Sequence, residues 1–389
     1  MTERLYYDDA YLWEFDGRVV AVDPDGWAAL DRSAFYPTSG GQPFDTGVLI
    51  QGDILARVTD VEVRDQVVWH RTDVPLRVGE AVHGRIDADR RLDHMQQHAA
   101  DHMLAGAAWQ LYGGVTIGLH LGQDLSTIDL TLPGGRTRLT EQEIDALETL
   151  VNQRVQQDDP IRCWFPAAEE LSALPLRKKP TVSEHVRVVA MGDYEMVACG
   201  GTHPRTTGRI GPVKILNTTP ARGKMRLSFV AGMRAVRLLQ RAVRCAEAMA
   251  AAVSASWEDA PAALQKEREG SLAFRKKQNQ RLLQAALALI RAEKKGRLYA
   301  SHVPFADPDT LLRAAAELTR AGDAVVLLSC PRKEGRTLVF ARGENAAPDM
   351  AQLLRQSGAR GGGKPDMAQG SAADDEALRN AAGILQGGA

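Results

Sequence analysis

"RRLDHMQQHAADHML", residues 90–104, places His94, His98 and His102 four positions apart. On an α-helix, residues at that interval lie on one face with Cβ atoms about 5–6 Å apart, a span across which two imidazoles can grip one ion. Eight residues at about 1.5 Å rise separate the outer two by about 12 Å, so all three cannot share it. Spacing leaves the pairs His94/His98 and His98/His102 level. Far along the chain, "CGGTH" (199–203) sets Cys199 four positions from His203. Two imidazoles from one stretch, with a thiolate and an imidazole from the other, form a mixed N,S set that suits zinc.

Outward from the histidine helix, the first part of the chain reads as short strands. "RVVAVDPDGWAALD", "DILARVTDVEVRDQVVWHR" and "AVHGRID" alternate apolar and polar residues between Gly, Pro and Asp. The Gly-Pro-rich "FYPTSGGQPFDTG" (35–47) lies between the first two. A helix is expected from about Asp89 to Trp109, then strands "GVTIGLHLG" and "LSTIDLTL". "LTEQEIDALETLVNQRVQQ" follows as a helix capped by Thr140 and Glu143. "HVRVVAMG" and "PVKILN" flank the cysteine motif as strands. From Ala235 to Lys295, Ala, Leu, Gln, Lys and Arg at helical periodicity predict two long helices broken around Pro261. Beyond Gly296 a helix at Pro308–Arg320, strands "AVVLLS" and "TLVFAR", a helix near Pro348–Gln356 and a Gly-rich loop, "GARGGGKPDMAQGSA", precede a last helix.

The 389 residues, 44% hydrophobic and 25% charged, allow about two to four compact units of ordinary globular type. No apolar run is long enough to span a membrane, and the N-terminus lacks a basic start followed by an apolar stretch, so neither membrane nor export is expected. Cys163, Cys199, Cys245 and Cys330 have no disulfide-framework spacing, which suits a reducing cytoplasm. With a formal net charge of -1, a nucleic-acid partner must be met by local basic patches.

"FYPTSGGQPFDTG", "RRLDHMQQHAADHML", "GGVTIGLHLGQDLSTIDL" (113–130) and "CGGTHPRTTGRIGPVKI" (199–215) occur in that order. Together they closely resemble the alanyl-tRNA editing domain, found within alanyl-tRNA synthetase and as the free-standing AlaX proteins. The resemblance covers the chain to about residue 237. In that family HxxxH is followed directly by apolar residues, as in "HAADHML". This implies His98, His102, Cys199 and His203 as the ligands of one Zn²⁺ per chain, with His94 a polar neighbour. "GGGKPDMAQG" (361–370) resembles the Gly-rich signature of the DHH-associated domain that ends alanyl-tRNA synthetase and is associated with tRNA binding. The whole order resembles long-form AlaX. The implied fold is α+β: a small β-barrel with the Gly-rich loop (1–88), a zinc-binding editing core (89–237), a helical hairpin or coiled coil (238–296) and an α/β C-terminal tRNA-binding domain (297–389). The helical segment and the C-terminal domain are both candidates for pairing two chains into a homodimer. No Asp-His-His triplet is present, which disfavours a RecJ-like nuclease, and the chain leaves no length for an aminoacylation domain.

The family's task is hydrolysis of mischarged tRNA(Ala), chiefly seryl-tRNA(Ala) and in some members glycyl-tRNA(Ala). The chemistry asks for a placed water, a stabilised oxyanion and rejection of alanine. By resemblance Thr116 meets the serine hydroxyl. The loop residues Gly40, Gly41 and Gln42 are expected to bring donors to the adenosine or the oxyanion. The helix reads HAADH and not HExxH, so a metalloprotease lacks its base; Asp101, inside the motif, is expected to face away from the ligand pair toward solvent or a secondary contact. Phosphate contacts are expected from Arg177, Lys178 and Lys179 in "LPLRKKP", from Arg222, Lys224 and Arg226 in "ARGKMR", and from Gly362, Gly363 and Lys364 in the tail. "FRKKQNQR" (274–281) reads as a solvated helix face. Ala99, where synthetases commonly carry threonine, and "MRLSFVAG" depart from the synthetase pattern toward the free-standing one. Two rivals stand beside the editing reading: a deacylase for seryl-tRNA(Thr), and a non-catalytic tRNA-binding protein with a structural zinc.

Overall fold

The first turn of the histidine helix is anchored by a fully buried ion pair. Arg91 Nε lies 3.1 and 2.9 Å from the two carboxylate oxygens of Asp45. Its remaining donors go to the carbonyls of Ala10 (2.8 Å) and Ala34 (2.6 Å), and Asp45 also accepts the Tyr36 amide at 2.7 Å. These contacts tie the start of the helix to the segment 34–45, which contains the Gly-rich loop. The computed structural model describes residues 1–180 and 185–387.

The chain divides into two compact units, Met1–Cys245 and Ala246–Ala389. The first opens with a closed six-stranded barrel built from β1 (Glu14–Val22), β2 (Trp27–Leu30), β3 (Gly47–Gln51), β4 (Ile54–Arg64), β5 (Val67–Thr72) and β6 (Ala81–Ile86), in the order β1-β2-β5-β4-β3-β6. Alternation along these strands sends Val19, Leu49, Ala56, Val58, Val61 and Val68 into the barrel core.

Helix α1 (Ala88–Tyr112) follows at once, started by the Asp87 side chain, which accepts the Arg90 amide. Its middle, residues 97–108, is buried all round. Ala99, Ala100, Ala107 and Ala108 let it pack closely, while Met103 and Leu104 fill the core with Ile128, Leu130, Leu227 and Phe229. The last four come from a four-stranded antiparallel sheet of β7 (Val115–Leu121), β8 (Ser126–Thr131), and two further strands, Val213–Ala221 and Lys224–Ala231. Its order leaves β7 at an edge. Helix α2 (Glu141–Gln156) carries the expected capping box of Thr140 and Glu143. A three-stranded sheet, Ile161–Trp164, Val188–Met191 and Glu195–Ala198, delivers the chain to Cys199.

Two helices, Met233–Ala252 and Ala260–Ala292, occupy the predicted helical region. The break falls at 253–259, ahead of Pro261, which sits in the first turn of the second helix where its missing N–H is not needed. The second unit contains a five-stranded mixed sheet with helices Pro308–Leu318, Met350–Gln356 and Glu376–Gly387. One sequence expectation is corrected here. Arg360–Gly363 is an edge strand and not a loop, with Gly362 opposite Gln369 and Gly363 opposite Ala368. The lack of side chains permits a close pairing, because a Cβ on Gly363 would come within 2.3 Å of the Met367 carbonyl oxygen. Among the described residues, no helix is long and apolar enough to cross a membrane.

Replacing Arg91 by Ala strands Asp45 as a buried charge, so the unfolding free energy falls by about 3–5 kcal/mol in a denaturant titration. Asp45→Asn in the same chain recovers part of that loss.

Candidate metal centre

The ligand-type atoms of His98, His102, Cys199 and His203 all lie within 4.8 Å of one another. Two spacings are informative: Cys199 Sγ stands 3.4 Å from His98 Nε2 and 3.4 Å from His203 Nε2. A tetrahedral ion with bonds of about 2.3 Å to sulfur and 2.0 Å to nitrogen has an S···N edge of about 3.5 Å. The residues therefore fit a tetrahedral metal without rearrangement at those edges. His94 is buried on the same helix but lies outside this group, which separates the two pairs that spacing alone left level.

Burial sets the protonation that a metal needs. It lowers His98 to about 3 and holds His102 and His203 well below the usual imidazole range, so all three rings are neutral donors. The same desolvation pushes the Cys199 thiol up to about 12; coordination is the interaction strong enough to draw off that proton.

Gln42 organises the centre from behind. His98 Nδ1 is 2.8 Å from Gln42 Oε1, and since that oxygen can only accept, Nδ1 carries the proton and Nε2 is left free for the ion. The same oxygen accepts the Thr202 amide at 3.1 Å, and Gln42 Nε2 donates to Thr202 Oγ1 at 2.7 Å. Gln42 is fully buried, with its amide bonded to His98 and Thr202 on the two segments that carry the candidate ligands. Gly41 makes this possible. Its φ of +87° favours glycine, and a Cβ there would approach the Leu119 carbonyl oxygen to 2.8 Å. Gly201 has a parallel role, since a Cβ would sit 2.1 Å from His98 Cε1. Arg187 closes the turn by donating to the carbonyls of Cys199 (3.1 Å) and Gly201 (2.8 Å).

A cleft of ≈ 300 Å³ opens beside the four residues, and Gly40, Asp101, Thr116, Arg177 and Lys178 are among its walls. Thr116, on edge strand β7, receives Arg177 Nη1 on its hydroxyl oxygen and Lys178 Nζ on its carbonyl, each at 3.4 Å. Arg177 Nε is also 2.8 and 2.9 Å from the two oxygens of nearly buried Glu195. Its expected phosphate contact is thereby replaced by an internal one that orients Thr116. Lys178 and Lys179 are exposed.

The other basic candidates lie apart from the cleft walls. Arg226 is spent on Asp129 through a two-bonded pair at 2.7 and 2.9 Å. Arg222 and Lys224 lie at the tip of the 213–231 hairpin, where Arg222 takes a φ of +49° in a two-residue turn with Gly223. Gly362, Gly363 and Lys364 are exposed in the second unit.

Asp101 is the residue whose placement was misread from sequence. It is only 5% exposed, its Oδ1 has no hydrogen-bond partner among the described residues, and it lines the cleft. Burial raises its carboxyl to about 7, with Arg177 opposing and Glu195 adding to the rise. The available signal was its i+3 spacing from His98, which puts both on one side of the helix.

A family model described as "tRNA synthetases class II (A)" matches residues 14–90, and one described as "Threonyl and Alanyl tRNA synthetase second additional domain" matches 186–227. Alanine–tRNA ligase from Pyrococcus furiosus is 32% identical over 99% of this chain and 43% of its own length. The ligase from Thermococcus kodakarensis is 34% identical over 95% and 41%. Among solved structures, the C-Ala domain from Aquifex aeolicus alanyl-tRNA synthetase matches 23% of this chain and 86% of its own at 21% identity, with a TM-score of 0.21. The chain is thus related to the alanyl-tRNA synthetases, and it spans less than half the length of the curated relatives it matches.

Removing the Gln42 amide by Gln42→Leu lowers Zn²⁺ affinity about 10–100-fold in a competition titration against a chelating dye. Gly201→Ala, which drives a methyl group into the His98 ring, lowers it further. Unchanged affinity in both variants refutes the positioning role.

Proposed function

From this kinship with alanine–tRNA ligases, we propose that the chain is a hydrolase that deacylates mischarged tRNA(Ala) in trans, chiefly seryl-tRNA(Ala), as a long-form AlaX-type protein of the cytoplasm. The observation that carries this reading is the cleft, which joins His98, His102 and Cys199 of the four-residue cluster to a threonine whose hydroxyl oxygen already accepts a bond from Arg177. His98, His102, Cys199 and His203 would hold one Zn²⁺. When bound, zinc supplies Lewis-acid polarisation of the ester or fixes its orientation.

The protein's own groups explain selectivity. With the Arg177 guanidinium donating to Thr116 Oγ1, the Thr116 proton is free to be given to a ligand hydroxyl. Serine offers that acceptor and alanine does not, leaving the donor unpaired in a partly buried site. Sites built to bond a hydroxyl reject the analogue lacking it by up to about 10⁴-fold. In the reaction, a water oxygen bonds to the ester carbon, the bond from that carbon to the ribose oxygen breaks, and the ribose oxygen takes up a proton. Exposed Lys178, Lys179 and Arg222 and half-buried Lys224, with Gly362, Gly363 and Lys364 in the second unit, are the groups assigned to the tRNA backbone.

A second reading is favoured by one finding: the family model over 186–227 is described for threonyl as well as alanyl enzymes. Under it, seryl-tRNA(Thr) is the substrate.

Zinc-loaded wild type is expected to release serine from seryl-tRNA(Ala), to spare alanyl-tRNA(Ala), and to lose activity in Cys199→Ala along with its zinc. Thr116→Val keeps the zinc but narrows the gap between seryl and alanyl substrates at least tenfold. Intact seryl-tRNA(Ala) after incubation with metal-loaded protein sinks the deacylase reading, leaving a structural zinc. Faster cleavage of seryl-tRNA(Thr) moves the identity of the tRNA. Glycyl-tRNA(Ala), assayed alongside, gains nothing from the Thr116 hydroxyl.

A further inference from the structure

Asp101 sits in the cleft wall with His98, His102, Cys199, Thr116 and Arg177. It does not belong to the group of four whose ligand atoms cluster within 4.8 Å. Its Oδ1 is buried and unpartnered among the described residues. The neighbouring cation makes no hydrogen bond to it: Arg177 gives Nε to both oxygens of Glu195 and Nη1 to Thr116. Arg177 is thus paired with the nearly buried carboxylate of Glu195 and not with Asp101. A carboxylate so placed is strongly disfavoured unless a cation or a proton donor reaches it.

The substrate class narrows what that cation is. At the 3′ end of an aminoacylated tRNA the phosphates are anionic, and the ribose and adenine are neutral. The single cationic group is the α-ammonium of the amino acid.

We propose that Asp101 is the anchor for the α-ammonium group of the aminoacyl ester, an inference that rests on the deacylase reading above. The ester is then held at three points: its carbonyl end toward the metal ligands, its hydroxyl at Thr116 and its ammonium at Asp101. Asp101 accepts a charge-assisted hydrogen bond and takes no part in bond breaking. It selects for a free amino group, so an N-blocked aminoacyl-tRNA is a poor ligand.

The test is calorimetric binding of two non-cleavable ligands to the zinc-loaded full chain: 3′-deoxy-3′-(L-serylamino)adenosine and its 3-hydroxypropanoyl counterpart, which lacks only the amino group. Wild type binds the seryl compound about 10-fold or more tightly than its counterpart. Asp101→Asn, still holding one zinc, brings the two affinities together by weakening the seryl compound alone. Asp101→Ser, smaller and still polar, gives the same result where the asparagine chain does not fold. Retained preference in a zinc-loaded variant overturns the assignment, and so does a wild-type ratio near one, which needs no variant. Cleavage of seryl-tRNA(Ala) by wild type reads the underlying function separately, so either can fail while the other stands.

Discussion

One side-chain amide holds the site together. Gln42 Oε1 accepts from His98 in the helix and from the Thr202 amide in the cysteine turn, while its Nε2 donates to Thr202 Oγ1. Three stretches separated by 56 and 160 positions meet on one group. Because a buried amide with a missing partner is costly, each stretch fixes the place of the other two. Cys199 and His203 face the helix histidines as a result, and the Nδ1 proton of His98 is assigned by chemistry alone.

Two internal ion pairs frame this arrangement and do different work. Arg91 and Asp45 tie the start of α1 to the loop that presents Gln42, with each nitrogen of the guanidinium donating to an acceptor. Such pairs contribute little net stability beyond well-packed apolar residues but specify one alignment strongly. Arg177 and Glu195 lie across the cleft, and there the guanidinium has a donor left over for Thr116. The first pair sets where the helix lies. The second sets which way a hydroxyl points.

Elements with a local cause were legible in the sequence. Alternation discloses the barrel strands, the Thr140–Glu143 box discloses α2, and the four-residue intervals disclose both candidate ligand stretches while leaving His94 level with His102. What depended on distant partners was not legible. Nothing near residue 42 indicates that its amide faces inward onto His98 and Thr202. Nothing in "LPLRKKP" distinguishes Arg177, which meets Glu195, from Lys178 and Lys179, which stay exposed. Asp101 differs in kind: its i+3 spacing from His98 puts it on the ligand side of the helix, but a carboxylate at that spacing carries no mark of whether solvent or a buried cleft meets it. The Gly-rich tail was read as a loop because glycine is a turn signal, yet in a strand it also serves where two backbones approach closely.

The order in which the centre's parts leave the ribosome has a consequence for folding. The barrel needs nothing beyond Ile86 to close, and the helix carrying His98 and His102 is complete by Tyr112. Cys199 and His203 emerge about 5–20 seconds after His98 at ordinary synthesis rates. Through that interval two imidazoles, the Gln42 amide and the apolar side of α1 await their partners. Nascent chains are therefore most exposed to capture of stray metal, or to aggregation through α1, while residues 113–203 are being made.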